Sequence, residues 1–568
     1  MRAGGIMSRR LRRIAGPFVV AAPAGARVRT RLRVPEADAM VLAELGAHLG
    51  SLAGTDLARR CAQGRLDADG ARVSRRARKQ ALTAASSSRW AGAITRTTSD
   101  GWALAERNLR AERASLQARI GTIRTRLAAS AGGRDGRVRG YATRAERWAK
   151  QQRLQHLQAR LAEVEARVAQ GRVPVCRGGR RLARARHHLD AAGLTDDQWR
   201  RQWAAQRWFI TADGEAGKRW GNETIRWHPD EGWLEIKLPA PLARLANRSH
   251  GRYRLSCPVA FPHRGDQVAA QAASGAVRYD ITYQPERDRW YLDASWTAAS
   301  GEPPPLSVLR QHRMLAVDLN AGHLACWVIT LDGNPAGQPV TIPLDLDGLS
   351  TSARDGHLRA AISRLLHIAQ DSGCAAVVIE NLDFTQARQH GREHDGRRPA
   401  RGQRGRAWRK MITGIPTARF RDRLVQMCHN ARIAVIAADP AYTSRWAAQH
   451  WLSGLQQQFS PVAVTGHHAA AVVIGRRALG QRARRRERCA SMRPEDRKEK
   501  AADSAVRATP DTAGLSGPQV REPGTCRARG QPHQRHKTRG AEREFPGDQV
   551  AQDRPGPPAE RDSVPLSV

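Results

Sequence analysis

Two acidic residues in this sequence each end an apolar, strand-like run. Asp318 lies in "MLAVDLNAGHLACWVIT" and Glu380 lies in "AAVVIENLDF". Two carboxylates brought together at the ends of buried strands repel each other, and a divalent cation between them relieves the repulsion. Oxygen ligands of this kind suit Mg2+ or Mn2+, which promote phosphodiester hydrolysis. The pair therefore predicts a divalent-metal site; the alternative is that Asp318 begins a turn and Glu380 simply ends a strand.

The residues around these acids indicate the elements that must position them. The run that contains Asp318 reads as a strand, a tight turn at "NAG" and a second strand. The apolar run from Cys374 to Ile379 is typical of a central strand that is buried on both faces. Leu358, Ile362 and Leu365 recur on one face of the segment before it, which predicts a helix that covers this strand.

Four motifs follow one another in a specific order: "VDLN", "VVIENL", "DPAYTS" and "AAAVVI". In this order they resemble the RuvC-like nuclease core of TnpB, the transposon-encoded protein of bacterial insertion sequences that is related to type V CRISPR effectors. The resemblance covers residues 310–480. It implies an RNase H-like mixed sheet with flanking helices, a centre of acidic residues that binds Mg2+ or Mn2+, and DNA cleavage at sites chosen by a guide RNA. Asp318 and Glu380 match the first and second acids of that centre.

The third acid of the family is replaced in this chain. The family has an aspartate shortly before two alanines at the start of the last helix, where this sequence has His467 and His468. His467 takes the aspartate position if Ala470 and Ala471 match the alanine pair, and a shift of one residue gives His468 instead. One interpretation is a working histidine ligand, which disfavours Mg2+ more than Mn2+. The other is a helix start that has lost its ligand, which predicts a nuclease-inactive, RNA-guided DNA-binding protein that acts as a regulator or is a remnant.

The cysteines argue against a structural zinc site. The family often has a four-cysteine zinc ribbon after "PAYTS", but "RWAAQHWLSGLQQQFSPVAVTG" contains no cysteine, and the eight cysteines of the chain include no CxxC pair. No zinc is therefore predicted. Scattered, unpaired cysteines favour a reducing cytoplasm over a disulfide framework.

The composition predicts a polyanionic partner. A formal net charge of +42 and a pI near 11.5 draw a chain to any nucleic acid, so a general RNA-binding protein without a guide is a further alternative. No apolar stretch approaches the roughly 18 residues of a membrane span, so none is predicted. The opening "MSRRLRRIAGPFVVAAPAGA" has features of a secretory signal, but Pro17 and Pro23 interrupt its apolar run, which favours a cytoplasmic protein.

The chain divides into several expected domains, which makes it a multi-domain α/β protein. Leu109, Leu116 and Ile123 keep a heptad spacing, and a similar apolar pattern follows the link "AAGGRDGRVRG", which predicts an α-helical hairpin. By resemblance this hairpin is a recognition-like lobe, and its alternative is a coiled-coil spacer. Alternating segments after residue 205 predict β-hairpins. The resemblance implies that these hairpins form a small, guide-holding β-barrel-like domain. The expected divisions are 1–26, an N-terminal extension; 27–60 with 205–305, a β-rich, wedge-like, guide-holding domain; 61–204, the helical lobe; 310–480, the nuclease core with an Arg/Gly-rich loop at 385–410; and 481–568, a disordered basic tail.

Overall fold

The computed structural model describes residues 13–136, 138–298, 302–382, 393, 417–460 and 463–483. Its strands are β1 (Phe18–Val19), β2 (Gly25–Leu32), β3 (Arg134–Asp135), β4 (Val138–Arg139), β5 (Thr211–Ala212), β6 (Ile225–His228), β7 (Trp233–Lys237), β8 (Arg252–Arg254), β9 (Arg278–Gln284), β10 (Arg289–Thr297), β11 (Met314–Leu319), β12 (His323–Ile329), β13 (Pro335–Pro343), β14 (Ala376–Glu380) and β15 (Ala434–Ala438). Its α-helices are α1 (Glu36–Ala62), α2 (Ala68–Thr83), α3 (Ser88–Ala128), α4 (Arg144–Ala169), α5 (Arg180–Ala185), α6 (Leu189–Ala192), α7 (Asp196–Arg207), α8 (Gly265–Ser274), α9 (Leu306–Leu309), α10 (Thr351–Asp371), α11 (Thr417–Asn430), α12 (Thr443–His450), α13 (Leu452–Gln458) and α14 (Gly466–Ala478).

A six-stranded sheet with the order β1-β15-β14-β11-β12-β13 carries both predicted acids. The strands β11, β14 and β15 are parallel to one another, whereas β1, β12 and β13 pair antiparallel to their neighbours. Uninterrupted apolar sequences such as "AVVIE" of β14 suit a central strand that is covered on both faces. The predicted mixed sheet with flanking helices is therefore confirmed.

The two faces of this sheet bury different sets of side chains. Ala316 and Val378 belong to the core formed with α14, whereas Val317 and Ile379 belong to the core formed with α10 and α11. Successive strand residues point to opposite faces, so this division follows directly from the odd and even positions of β11 and β14. The sheet is thus the middle of three layers, and every even-numbered residue of these two strands faces α14.

The edge strand β1 comes from the segment that the sequence predicted to be an N-terminal extension. Phe18 pairs with Ala437 and Val19 pairs with Ile436, both in an antiparallel register. The apolar "PFVV" therefore shields the outer edge of β15. This pairing joins residues that are more than 400 positions apart, which a local sequence pattern cannot reveal.

The two long helices of the predicted hairpin, α3 and α4, pack side by side. Leu116, Ile123 and Val164 are buried in the seam between them. Outside the seam, Arg160 forms a salt bridge of 2.8 Å with Glu112. The glycine-rich link between the helices contains the short antiparallel pair β3 and β4.

The β-rich region consists of a four-stranded sheet, β2-β10-β9-β5, and a three-stranded sheet, β6-β7-β8. The β-hairpins predicted after residue 205 are present, with turns between β6 and β7 and between β9 and β10. Trp227 and Trp290 are buried in one core with side chains of α1 such as Leu49. The barrel-like closure of this region stays a prediction.

Two sequence predictions fall largely outside the described residues. The Arg/Gly-rich loop at 385–410 lies there except for Glu393, and so does the basic tail from residue 484 onward. Within the described part of the chain, the helices are all too short or too polar to cross a membrane.

Candidate metal centre

Asp318 and Glu380 lie side by side on the sheet. Val317 pairs with Ile379 in the parallel register of β11 and β14, so the next residues, Asp318 and Glu380, are also neighbours. Adjacent strands are about 4.8 Å apart, and both residues continue the even-numbered face that is covered by α14. The structure therefore brings the two predicted acids together at the carboxyl ends of two parallel strands.

Each carboxylate is held by hydrogen bonds to one of its two oxygens. Asp318 Oδ2 accepts a hydrogen bond from Asn320 Nδ2 at 3.0 Å and lies 2.8 Å from His467 Nδ1. Glu380 Oε1 accepts a hydrogen bond of 2.5 Å from the hydroxyl of Thr443. These hydrogen bonds fix the orientation of both side chains. They do not involve the second oxygen of either carboxylate. Such an arrangement suits two carboxylates that share a cation.

The electrostatics of the pair favour a bound cation. Burial and, after it, the negative charge of Asp318 raise the pKa of Glu380 to about 7, although the Thr443 hydrogen bond and Arg477 oppose the shift. A carboxyl group in this position is costly to ionise without a positive partner. A divalent cation between the two acids would supply that charge.

Of the two histidines, only His467 contacts Asp318. Thr465 caps the N-terminus of α14 and forms a capping box with His468, so that the His468 ring turns back over the helix start. The Nε2 atom of the His468 ring lies 2.9 Å from the hydroxyl of Thr341. His467 projects from the same helix turn toward the acids, and its hydrogen bond to Asp318 raises its pKa. The structure thus places His467, and not His468, against Asp318.

The sequence interpretation missed three residues that contact or adjoin the centre. Asn320 and Thr443 hold the two carboxylates, and His323 lies beside His467 with 5.0 Å between their ring centroids. Asn320 was visible as the last letter of "VDLN" and Thr443 as the threonine of "DPAYTS", but neither spacing reveals which acid is contacted. His323 has no motif signal.

A third carboxylate, Asp439, ends the neighbouring strand β15 but has a different task. Its Oδ2 accepts a hydrogen bond of 2.9 Å from the backbone amide of Ala15, and its Oδ1 accepts one of 2.9 Å from that of Ala441. One oxygen therefore holds the N-terminal segment at Ala15, and the other stabilises the turn at Ala441. Asp439 contributes to the centre through its charge, which also raises the pKa of Glu380.

The donor set fits a divalent cation through two carboxylates and departs from a three-acid site at the third position. Asp318 and Glu380 supply oxygens, which Mg2+ and Mn2+ both accept. Where a three-acid site has its third carboxylate, this chain has His467, and the imidazole of His467 is hydrogen-bonded to Asp318. Across the described ranges, no three side chains from His, Cys, Asp or Glu surround one point as metal ligands do.

Comparisons with known proteins give only distant similarities. No family model matches this sequence, and no curated protein matches it. The Thermus thermophilus RuvC structure matches with 13% identity and a TM-score of 0.18 over 29% of this chain and 91% of that chain, and T. thermophilus RuvC in complex with Holliday junction substrate matches over the same shares with 13% identity and a TM-score of 0.20. The cryo-EM structure of the Cas12f1-sgRNA-target DNA complex matches with 9% identity and a TM-score of 0.31 over 79% of this chain and 98% of that chain. TM-scores this low do not establish a common fold.

Proposed function

We propose that this chain is a divalent-metal-dependent nuclease with an RNase H-like core that cuts DNA chosen by a guide RNA. The observation that carries the proposal is the convergence of Asp318, Glu380 and His467 on one face of the sheet, although Asp318 and His467 are 149 residues apart in the chain. Convergence of chain-distant acids at the ends of parallel strands is typical of a catalytic centre and is not needed for folding.

The residues of the centre have separate tasks in this proposal. Asp318 and Glu380 hold Mg2+ or Mn2+ through the oxygens that are not engaged by Asn320 and Thr443. A metal ion held there would supply an activated water and polarisation of the phosphodiester. His467 fixes the orientation of Asp318 through its hydrogen bond. Helix α14 packs its apolar run "AAAVVI" against the sheet face that carries the two acids.

The nucleic-acid part of the proposal is supported by charge and by sequence motifs. The net charge of +42 favours a phosphate backbone as partner. The order of "VDLN", "VVIENL", "DPAYTS" and "AAAVVI" is the sequence feature that favours a TnpB-like, guide-directed endonuclease over a general nuclease. In such a protein, base pairing with the guide selects the target and the protein reads duplex shape.

The experiment is a cleavage assay with a matched pair of variants. The chain is purified with the RNA transcribed next to its gene and is given a DNA that matches this RNA, in Mg2+ and separately in Mn2+. Cleavage is expected for the wild type and for Asp371→Ala, which changes an exposed residue at the end of α10, and loss of cleavage is expected for Asp318→Ala. Equal cleavage by wild type and Asp318→Ala would contradict the proposal.

A second function is favoured by one specific feature, the imidazole at the third ligand position. Because a histidine, His467, replaces the third acid and is hydrogen-bonded to Asp318, the centre has one carboxylate fewer than a three-acid site. A nuclease-inactive protein that binds DNA under guide control would keep every other feature of the fold. In the same assay it would bind matched DNA tightly and would leave it uncut in both metals.

A further inference from the structure

A cavity of about 520 Å³ lies at the C-terminal end of α14 and has no task in the proposed function. Its lining includes the indole of Trp446 from α12 and the apolar side chain of Val473 from α14. The segment before β1 contributes Ile14 and Ala15. Trp446 is only partly buried, so part of its ring surface is accessible to a ligand. A cavity of this size, with an aromatic side chain and a few polar groups, suits a small ligand group.

The charges around the cavity favour an anionic ligand. Two arginines, Arg477 and Arg482, line it together with His450, and none of the lining residues that the structure describes is acidic. Arg477 is buried and donates a hydrogen bond of 2.9 Å to the backbone carbonyl of Ala441. Its guanidinium carbon lies 5.4 Å from the centroid of the Trp446 ring. Phosphate is an anion that the planar guanidinium of arginine binds well.

The cavity adjoins the candidate metal centre through Asp439. Glu380 pairs with Ala438 in the register of β14 and β15, so Asp439 directly follows the pairing partner of Glu380. Asp439 contacts two residues that line the cavity. Its Oδ2 accepts the hydrogen bond of 2.9 Å from the amide of Ala15, and its backbone carbonyl accepts one from Arg477. A nucleic-acid strand that is bound at the two acids would therefore pass close to the cavity.

We propose that the cavity holds one unpaired nucleotide of the DNA strand that enters the metal centre, with its base against Trp446 and its phosphate near Arg477 and Arg482. The inference deepens the proposed function and rests on it, because it assumes a DNA strand at Asp318 and Glu380. Stacking of a base on an aromatic side chain tolerates any sequence, since every base has a π-face. The site therefore positions the strand and leaves the choice of sequence to base pairing.

The test measures binding of short single-stranded DNA to the full chain in EDTA, so that no divalent metal takes part. Fluorescence anisotropy compares two labelled strands of equal length and charge, one of thymidine nucleotides and one of abasic nucleotides. Trp446→Leu should weaken binding of the thymidine strand at least about fivefold and change binding of the abasic strand less than about twofold, because only the base contact is lost. Trp446→Phe is the matched control, since it keeps an aromatic ring and should retain most of the affinity.

Arg482→Gln tests the phosphate contact. It should weaken binding of both strands about equally, because it removes a charge and no base contact. Its control is Arg354→Gln, which removes the same charge from an exposed position of α10, on the opposite face of the sheet, and should bind both strands like the wild type. Equal binding by the two arginine variants would contradict the phosphate contact.

Photo-crosslinking keeps the inference testable if a Trp446 variant does not fold. Wild-type protein irradiated with a strand that carries 5-bromodeoxyuridine should form a crosslink that mass spectrometry maps to Trp446 or to residues 480–483. Crosslinks that map only elsewhere overturn the inference. It is also overturned if Trp446→Leu, folded by circular dichroism, binds the thymidine strand like the wild type or loses affinity for both strands equally.

Asp318→Ala in the cleavage assay separates a failure of this inference from a failure of the proposed function. If Asp318→Ala stops cleavage while Trp446→Leu binds both strands as the wild type does, the metal centre stands and the nucleotide site is wrong. If Asp318→Ala cleaves matched DNA as well as the wild type, the proposed function fails, and a base-dependent loss in Trp446→Leu would still show the nucleotide site.

Discussion

At the scale of single residues, the arrangement of the two acids lowers the stability of the folded protein when both are ionised. Glu380 faces a neighbouring carboxylate in a partly buried position, and its only close hydrogen-bond donor in the described structure is the hydroxyl of Thr443. A residue selected for stability alone would be apolar at the end of β14. The raised pKa of Glu380 reflects this cost, which a cation bound between the two acids would remove.

The first prediction concerns the stability of the metal-free protein as a function of pH. The folded-state pKa of Glu380 is raised to about 7 from an ordinary value of 4.5, so the folded state binds more protons than the unfolded state between these values. The free energy of unfolding must then fall as pH rises through that window. Glu380→Gln removes this term, and in EDTA at pH about 8 it should be more stable than the wild type by on the order of 2 kcal/mol.

Urea unfolding at several pH values checks this expectation. The difference between Glu380→Gln and the wild type should shrink toward zero as pH is lowered to about 4.5. Glu286→Gln, in an exposed turn between β9 and β10, is the control and should follow the wild type throughout. A Glu380→Gln variant with the same pH profile as the wild type would contradict the prediction.

The second prediction isolates the hydrogen bond that Thr443 donates to Glu380. This bond lowers the pKa of Glu380, so Thr443→Val should raise that pKa and weaken Mn2+ binding at pH about 7. The loss should diminish at higher pH, where Glu380 is ionised in both proteins. Thr443→Ser keeps the hydroxyl and should bind Mn2+ like the wild type in calorimetry. A loss in Thr443→Ser as large as that in Thr443→Val would contradict the prediction, because the hydroxyl is kept in the serine variant.

At the level of elements, helix α14 determines where His467 stands. The helix lies on the sheet face that carries both acids, and Gly475 allows a close approach because a Cβ there would lie 2.6 Å from Ile329 Cγ1 and 3.0 Å from Ala316 Cβ. Ala316 is two residues before Asp318 on β11. The distance between helix and sheet, and with it the contact between His467 and Asp318, therefore depends on this glycine.

The third prediction follows from that packing. Gly475→Ala should force α14 away from β11 and β12, lower the free energy of unfolding by about 1–3 kcal/mol and weaken metal binding. Gly454→Ala in the short helix α13 is the matched control, because a Cβ at that position meets nothing within 4 Å. Thermal unfolding and Mn2+ titration of both variants provide the check, and a Gly475→Ala protein as stable as Gly454→Ala would contradict the packing account.

Local elements could be predicted from the sequence, whereas their partners could not. The apolar run of β14, the turn at "NAG" and the hairpin between β9 and β10 depend on neighbouring residues, and each formed as expected. The choice between His467 and His468 depends on the cap that Thr465 makes, which needs three-dimensional geometry to recognise. The contact between Thr443 and Glu380 links residues 63 positions apart, and the position of His323 depends on the packing of α14.

For the whole molecule, the strongest physical property is positive charge. The net charge of +42 favours association with a polyanion and the release of its counterions. This property provides affinity and leaves specificity to base pairing or to groove contacts. It favours binding to nucleic acid without regard to sequence.

The fourth prediction is a steep salt dependence of that binding. If about ten phosphates are contacted, the logarithm of the binding constant for an unrelated DNA duplex should fall against the logarithm of salt concentration with a slope of about −9. Fluorescence anisotropy across a range of NaCl concentrations measures the slope. A slope close to zero would contradict a dominant phosphate contribution.

The central claim is that Asp318 and Glu380 share a divalent cation. Anomalous X-ray diffraction from crystals of the protein soaked in Mn2+ tests this most directly, with Asp318→Ala crystals as the comparison. The account predicts an anomalous peak between the two carboxylates in the wild type that is lost in Asp318→Ala. The absence of a peak there at saturating Mn2+, or an unchanged peak in the variant, would contradict it.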